Sequence, residues 1–393
     1  MSLQKNIRLL TWFNFFTDFK MYGPIAIIYF SHISHSYALG GLVFSIAYIV
    51  SALFDVPTGI FADRIGRKKT IILGAVFAAL FVIFYAIGLN FWLLAVGAFF
   101  EGLSRAFYSG NNNALLHNML SDEGMEHDYH VYLGRLTSWF QIALAVSGLL
   151  GAFIANFSFP LVMWLSVIPQ VVCLYISFQI TDRSNNKISE TSVIQDLKRG
   201  FAAFKNNANL RLLTISSILD YGFGETSYQF QAAFYNTILP IWAVGIAKTL
   251  SNIGAAIGFR FSGWVINKLG AINTLFYGEI YGKCVAFFSL IVITKLSPFL
   301  MSTSSIFFGT GSIAEASLMQ KEFSDQQRAT MSSLNSFAGS LFFGILVYLI
   351  GFLADKFDPR NALLLLQIGS LSVLYILWRL FKQNRNISKI HLE

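Results

Sequence analysis

Eleven ionisable residues sit inside long apolar stretches of this chain: Asp18, Lys20, Asp55, Glu101, Arg105, Asp220, Glu225, Arg260, Glu279, Lys283 and Glu315. A charge at bilayer depth costs at least about 2.5–3.5 kcal/mol, so each is a functional candidate by default. The chemistry open to them is proton or cation handling, because a carboxylic acid shielded from water can take up and release a proton near neutral pH. Asp18 comes just before Tyr22-Gly23-Pro24. A Gly-Pro pair weakens a helix and frees carbonyls to line a cavity. Asp18 and Tyr22 are therefore expected in a proton-coupling site or substrate cavity, the alternative for Asp18 being a carboxylate paired with a neighbouring helix. Asp220 and Glu225 lie in a similar setting beside Gly222 and Gly224, five residues apart and so pointing in different directions. Glu101 and Arg105 are four apart and can share one helix face as a local pair. Glu279 and Lys283 repeat that spacing, where an internal structural pair is the better reading.

The elements that position these residues follow from composition. Of 393 residues, 55% are hydrophobic, 16% aromatic and 12% charged, and 40 are Phe. Mean hydropathy is +0.59. A soluble domain carries about 25% charged residues, so a water-soluble enzyme is excluded, as is disorder. Twelve runs approach the roughly 20 apolar residues that span a bilayer: 7–31, 39–62, 70–89, 91–117, 135–156, 160–180, 209–231, 241–266, 271–293, 296–319, 329–354 and 361–381. Backbone groups in lipid must be satisfied internally, so the runs are expected to be helices. The stretch 209–266 is the hardest to divide, because Gly222, Gly224, Gln229, Gln231 and Pro240 interrupt it. The expected fold class is an all-α membrane protein of twelve transmembrane helices in two pseudo-symmetric six-helix bundles, residues 1–180 and 209–393, joined by a linker over 181–208.

With both termini in the cytoplasm, inner segments hold twenty of the 28 Lys and Arg, while Lys295, Lys356, Arg360 and Lys248 fall outside. That bias fixes the orientation and accounts for the net charge of +8 without a nucleic-acid partner. No cleavable signal peptide is evident. Val193 to Phe204 in the linker reads as an amphipathic helix, either on the inner leaflet or solvated. The halves also repeat. Arg8-Leu9-Leu10-Thr11 recurs as Arg211-Leu212-Leu213-Thr214, Ser121-Asp122 as Ser324-Asp325, and Gly59…Asp63-Arg64…Gly66 as Gly263…Asn267-Lys268…Gly270, at nearly one offset. Parallel repeats place a substrate site between the halves near mid-membrane.

Two Cys, and His pairs at 32/35 and 127/130 with no Cys or carboxylate cluster beside them, give no metal site. Without a Walker loop or a nucleophile–base set, no cofactor and no catalytic residue is expected, and the chain is not read as an enzyme.

The sharpest motif follows the second run: Gly59-Ile60-Phe61-Ala62-Asp63-Arg64-Ile65-Gly66-Arg67-Lys68-Lys69-Thr70. Gly59 would let another helix approach closely, Gly66 permits a tight turn, and the basic residues hold the loop inside. The segment resembles motif A of the major facilitator superfamily, and the six-plus-six layout resembles that family across nearly the whole chain, most closely its bacterial drug:proton antiporters. The resemblance implies that Asp63 and Arg67 join a charge network latching the outward-open state. Asp55, on the same helix face as Asp63, and Arg64 are expected in the same gate. It also implies that span four, with Glu101 and Arg105, lines the cavity. The chain departs from the family where span four carries Ala98 in the usual Arg position, and where the span-five glycines, Gly148 and Gly151, lack the usual Pro. The expected function is alternating-access transport of a small molecule across the cytoplasmic membrane by a monomer. Proton-coupled efflux of an amphipathic or cationic compound leads; uptake of a metabolite or siderophore, or a non-transporting receptor, are the alternatives.

Overall fold

The computed structural model describes residues 3–181, 204, 207–322 and 328–390, and every regular element among them is helical. The expected amphipathic segment 193–204, apart from Phe204, and the Ser324-Asp325 repeat lie outside the described residues. The elements are α1 (Leu3–Thr17), a 3-10 turn (Gly23–Ile25), α2 (Ala26–Ser34), α3 (Tyr37–Ile65), α4 (Arg67–Ile87), α5 (Phe91–Tyr108) and α6 (Asn111–Ser121). They continue with α7 (Tyr129–Ala155), α8 (Phe159–Gln179), α9 (Ala208–Asn236), α10 (Ile241–Leu269), α11 (Ala271–Ile291), α12 (Ser297–Glu322), α13 (Arg328–Phe357) and α14 (Pro359–Ile390). Each of the twelve apolar runs coincides with one helix or with a broken one. Seven helices among the described residues are long and apolar enough to cross a membrane. Their outer faces carry exposed Leu53, Phe153, Tyr175 and Trp264, as a lipid-facing surface requires.

Two compact units emerge, Met1–Ser189 with Pro240–Thr249, and Glu190–Leu239 with Leu250–Glu393. The first turns of α10 thus cluster with the N-terminal unit, a departure from the expected halves. The cause is small residues: a Cβ on Gly245 would overlap that of Ala152 and lie 3.3 Å from the Gly148 carbonyl, so α10 and α7 meet almost backbone to backbone. Lys248 follows in this segment and is only 1% exposed.

The repeat is visible in the helix limits. Tyr37–Ile65 and Ile241–Leu269 are both 29 residues long, and Arg67–Ile87 and Ala271–Ile291 both 21. The joints between them match as well. Gly66 has φ 95° and ψ 146°, Gly270 φ 83° and ψ 152°, a region open only to glycine at low cost. Each glycine carbonyl accepts from the hydroxyl four residues on, Thr70 at 3.0 Å and Thr274 at 2.8 Å.

Symmetry fails in the first span. It is interrupted between Thr17 and Gly23, whereas its counterpart α9 runs unbroken through Gly222 and Gly224. The expectation that these glycines interrupt the helix is therefore corrected. Gly222 faces the Phe342 ring, whose atoms a Cβ would overlap, so its smallness serves contact between α9 and α13. In the first span Pro24 follows the break, because proline lacks the donor and crowds the carbonyl four residues earlier; Pro57 and Pro169 are carried inside continuous helices.

Candidate functional site

The site in the N-terminal unit is built on the broken span. The carbonyl of Lys20, which a continuous helix would bond to residue 24, accepts instead from the Gly23 amide at 3.1 Å. Gln170 on α8, itself fully buried, donates to the freed carbonyls of Phe16 and Thr17 at 3.2 and 3.3 Å. Two glycines of α7 make room for the irregular segment. A Cβ on Gly151 would overlap the Met21 carbonyl, and one on Gly148 would come within 3.1 Å of the Pro24 ring. The glycine-rich stretch of span five thus cradles the break in span one, a contact that sequence spacing does not announce.

The break turns Asp18, Lys20 and Tyr22 towards α5. Glu101, 7% exposed, is the focus there. Its Oε2 accepts from Tyr85 Oη at 2.8 Å, and its Oε1 from Arg105 Nε and Nη2 at 3.2 and 3.1 Å. Lys20 Nζ stands 3.9 Å from the same Oε1 and 5.3 Å from the centre of the Phe81 ring. The Arg105 guanidinium also lies 4.5 Å from the centre of the Tyr48 ring. Asp18 is in electrostatic range of Lys20 and Arg105. Tyr22 is buried with its hydroxyl unpartnered, its ring edge-on to Tyr85 at 5.8 Å. Two acids and two bases balance, and aromatic rings flank both cations.

Small residues bring these elements together. A Cβ on Gly97 would press on the Tyr85 ring at 2.7 Å, and one on Gly102 on the Ala47 carbonyl at 2.6 Å. The first contact seats α4 against α5, and the second seats α3 so that Tyr48 reaches Arg105. Tyr48 and Tyr85 were not among the sequence candidates. A neutral aromatic residue in an apolar run gives no signal by type; only its neighbours make it functional.

In the C-terminal unit the candidates separate. Asp220 on α9 is in electrostatic range of Glu279 and Lys283 on α11 and of Glu315 on α12. Glu279 and Lys283 form an ion pair at 2.8 Å. One turn before Asp220, Ser217 accepts from Asn335 at 2.8 Å. Glu225 faces elsewhere and accepts from Gln229 at 2.8 Å. Asp220 and Glu225 are therefore not one site.

The motif loop joins α3 to α4. Asp63 and Arg64 lie in the last turn of α3, Asp55 two turns earlier and half-buried, and Arg67 opens α4. Lys68 Nζ donates to the Phe178 carbonyl at 2.9 Å, and Asn111 to the Arg67 carbonyl at 3.1 Å. The close helix approach expected at Gly59 is absent among the described residues: a Cβ there, as at its counterpart Gly263, would meet nothing within 4 Å. Both glycines stand on open helix faces.

Paired helical units, a discontinuous first span and balanced charges at membrane depth define a multi-pass membrane transporter. The sequence matches the Major Facilitator Superfamily over residues 9–345, and the chain belongs to that family. It is 25% identical over 336 residues to raffinose permease of Escherichia coli, spanning 77% of each chain. It is 23% identical over 366 residues to multidrug resistance protein 2 of Bacillus subtilis, spanning 87% of this chain and 89% of that one. The solved nucleoside transporter NupG has the same fold, with a TM-score of 0.81 at 16% identity over 97% of this chain and 100% of that one. The protein is thus a transporter of small molecules and not an enzyme.

Proposed function

We propose that the chain exports an amphipathic or cationic small molecule in exchange for protons, acting as a monomer in the cytoplasmic membrane with both termini inside. The reading rests on one observation: the broken first span holds Asp18 and Tyr22 beside the Glu101–Arg105 pair, within a shell of aromatic rings. Such a cluster is neutral at rest. Protonation of either acid leaves an uncompensated cation, and a cationic cargo competes for the same carboxylates, so proton and cargo exclude one another. Tyr and Phe faces attract a flat cation without a fixed counter-charge. Asp220 provides a second acid in the C-terminal unit. Asp55, Asp63, Arg64 and Arg67 act as the gate, supported by the anchoring of their loop through Lys68 and Asn111. The likeness to multidrug resistance protein 2 agrees with export.

The test uses proteoliposomes with an imposed pH gradient and ethidium as the cationic probe. Asp18→Asn is expected to abolish gradient-driven flux while ethidium binding persists. Unchanged flux removes Asp18 from the mechanism. Uptake of a metabolite is a second reading, favoured by the likeness to raffinose permease. Ethidium flux insensitive to the direction of the gradient would turn the argument to it.

A further inference from the structure

The break in the first span begins earlier than its proline requires. Pro24 lacks an amide hydrogen and crowds the Lys20 carbonyl, so it forbids the helical bond between residues 20 and 24. It places no demand on the carbonyls of Phe16 and Thr17, whose helical donors would be the amides of Lys20 and Met21. Even so, α1 ends at Thr17. The Lys20 amide turns to the Asp18 carbonyl at 2.8 Å, and Phe16 receives the Phe19 amide at 3.2 Å. Gln170 Nε2 takes the place of the missing amides, donating to Phe16 at 3.2 Å and to Thr17 at 3.3 Å.

Gln170 closes a row of ties between α8 and α1. Asn6 and Thr181 exchange two hydrogen bonds, at 2.6 and 3.0 Å, and Cys173 Sγ donates to the Phe13 carbonyl at 3.3 Å. Earlier along α8 the next hydroxyl, Ser166, bonds the Val162 carbonyl of its own helix. Among the described residues, polar ties from α8 to the first span thus stop at Gln170. Its amide is committed to the two carbonyls, since it is fully buried and its Oε1 has no donor. The C-terminal unit offers a contrast. Gln367 on α14 is also buried, but it donates to the Ser227 hydroxyl of α9 at 3.2 Å and accepts from Ser370 at 3.4 Å. There α9 runs unbroken.

We propose that Gln170 is a positioning residue for transport: by withholding two carbonyls from the amides of Lys20 and Met21, it ends α1 at Thr17 and holds Asp18 and Lys20 beside the Glu101–Arg105 pair. Without it, α1 can regain both bonds and continue for about one turn before Pro24 stops it. Lys20 Nζ then leaves its place 3.9 Å from Glu101. The proposal rests on the reading that this cluster drives the transport cycle, and the conformation of residues 18–23 tests it separately.

The experiment compares the full chain with Gln170→Met, similar in size but without a donor, and with Gln170→His, whose ring N–H is a donor at similar reach. Gln367→Met is the control. Hydrogen exchange in nanodiscs is read on peptides covering residues 16–24, and ethidium flux in proteoliposomes under an imposed pH gradient. Gln170→Met is expected to slow exchange at Lys20 and Met21 at least about tenfold, as two amides gain helical bonds. Its flux is expected to fall at least about tenfold while the ethidium Kd stays within about threefold of wild type. Gln170→His is expected to recover most of both, and Gln367→Met to match wild type in both. Unchanged or faster exchange in Gln170→Met overturns the proposal, as does slowed exchange with wild-type flux. So does a histidine variant no better than the methionine one, a control that loses flux equally, or an unfolding midpoint that falls along with flux. If Asp18→Asn leaves flux unchanged, the export reading fails, while the exchange contrast between Gln170→Met and Gln170→His still decides whether Gln170 ends α1.

Discussion

Glu101 accepts from Tyr85 and Arg105 and stands close to Lys20, so it carries the electrostatics of its unit. Glu101→Gln keeps an acceptor for Tyr85 but leaves two cations without their counter-charge. Removing one partner of a buried ionic network costs about 3–5 kcal/mol, and thermal unfolding in detergent is expected to show a large drop in midpoint. Adding Arg105→Gln is expected to recover part of it. A wild-type midpoint for the single variant would sink the idea that Glu101 organises the cluster. The Glu101–Arg105 spacing was readable along the chain because the two residues share a helix. Tyr85, Tyr48 and Lys20 complete the shell from other elements, and no pattern along the chain brings them there.

At the scale of elements, the decisive features are the break after Thr17 and the α7 surface that receives it. Pro24 marks the break, but the need for glycine at 148 and 151 arises only where another backbone passes over them. Gly151→Ala would force the Met21 backbone away and is expected to lower stability by about 1–3 kcal/mol, as overpacking does. Gly224→Ala, with open space at its Cβ, is expected to be neutral or to stabilise by up to about 1 kcal/mol. Unfolding midpoints of the pair measure the contrast, and an equal effect would mean that Gly151 is not a seat for the break. The glycines of α9 mislead in the opposite direction. Read along the chain they interrupt a helix, but they are contact surfaces facing Phe342 and open space.

For the whole molecule, the basic residues predict an orientation with both termini inside, and labelling tests it. In a Cys284→Ser background, Leu89→Cys in the α4–α5 turn, where Leu89 is 77% exposed, is expected to react with a membrane-impermeant maleimide from outside intact cells. Glu123→Cys, between α6 and α7, is expected to react only after the cells are opened. The reverse pattern would invert the topology and move the motif loop to the outer face.

Apolar run length, Lys and Arg placement and the repeated Gly66 and Gly270 joints were determined by the sequence alone. Each depends on local hydrophobicity, charge or backbone freedom, which a residue carries with it. The tertiary structure decided which unit takes the first turns of α10, which polar groups surround Glu101, and that Gln170 meets the carbonyls of Phe16 and Thr17. Those outcomes depend on which helices approach one another, and the approach distance is set jointly by small residues far apart in the chain.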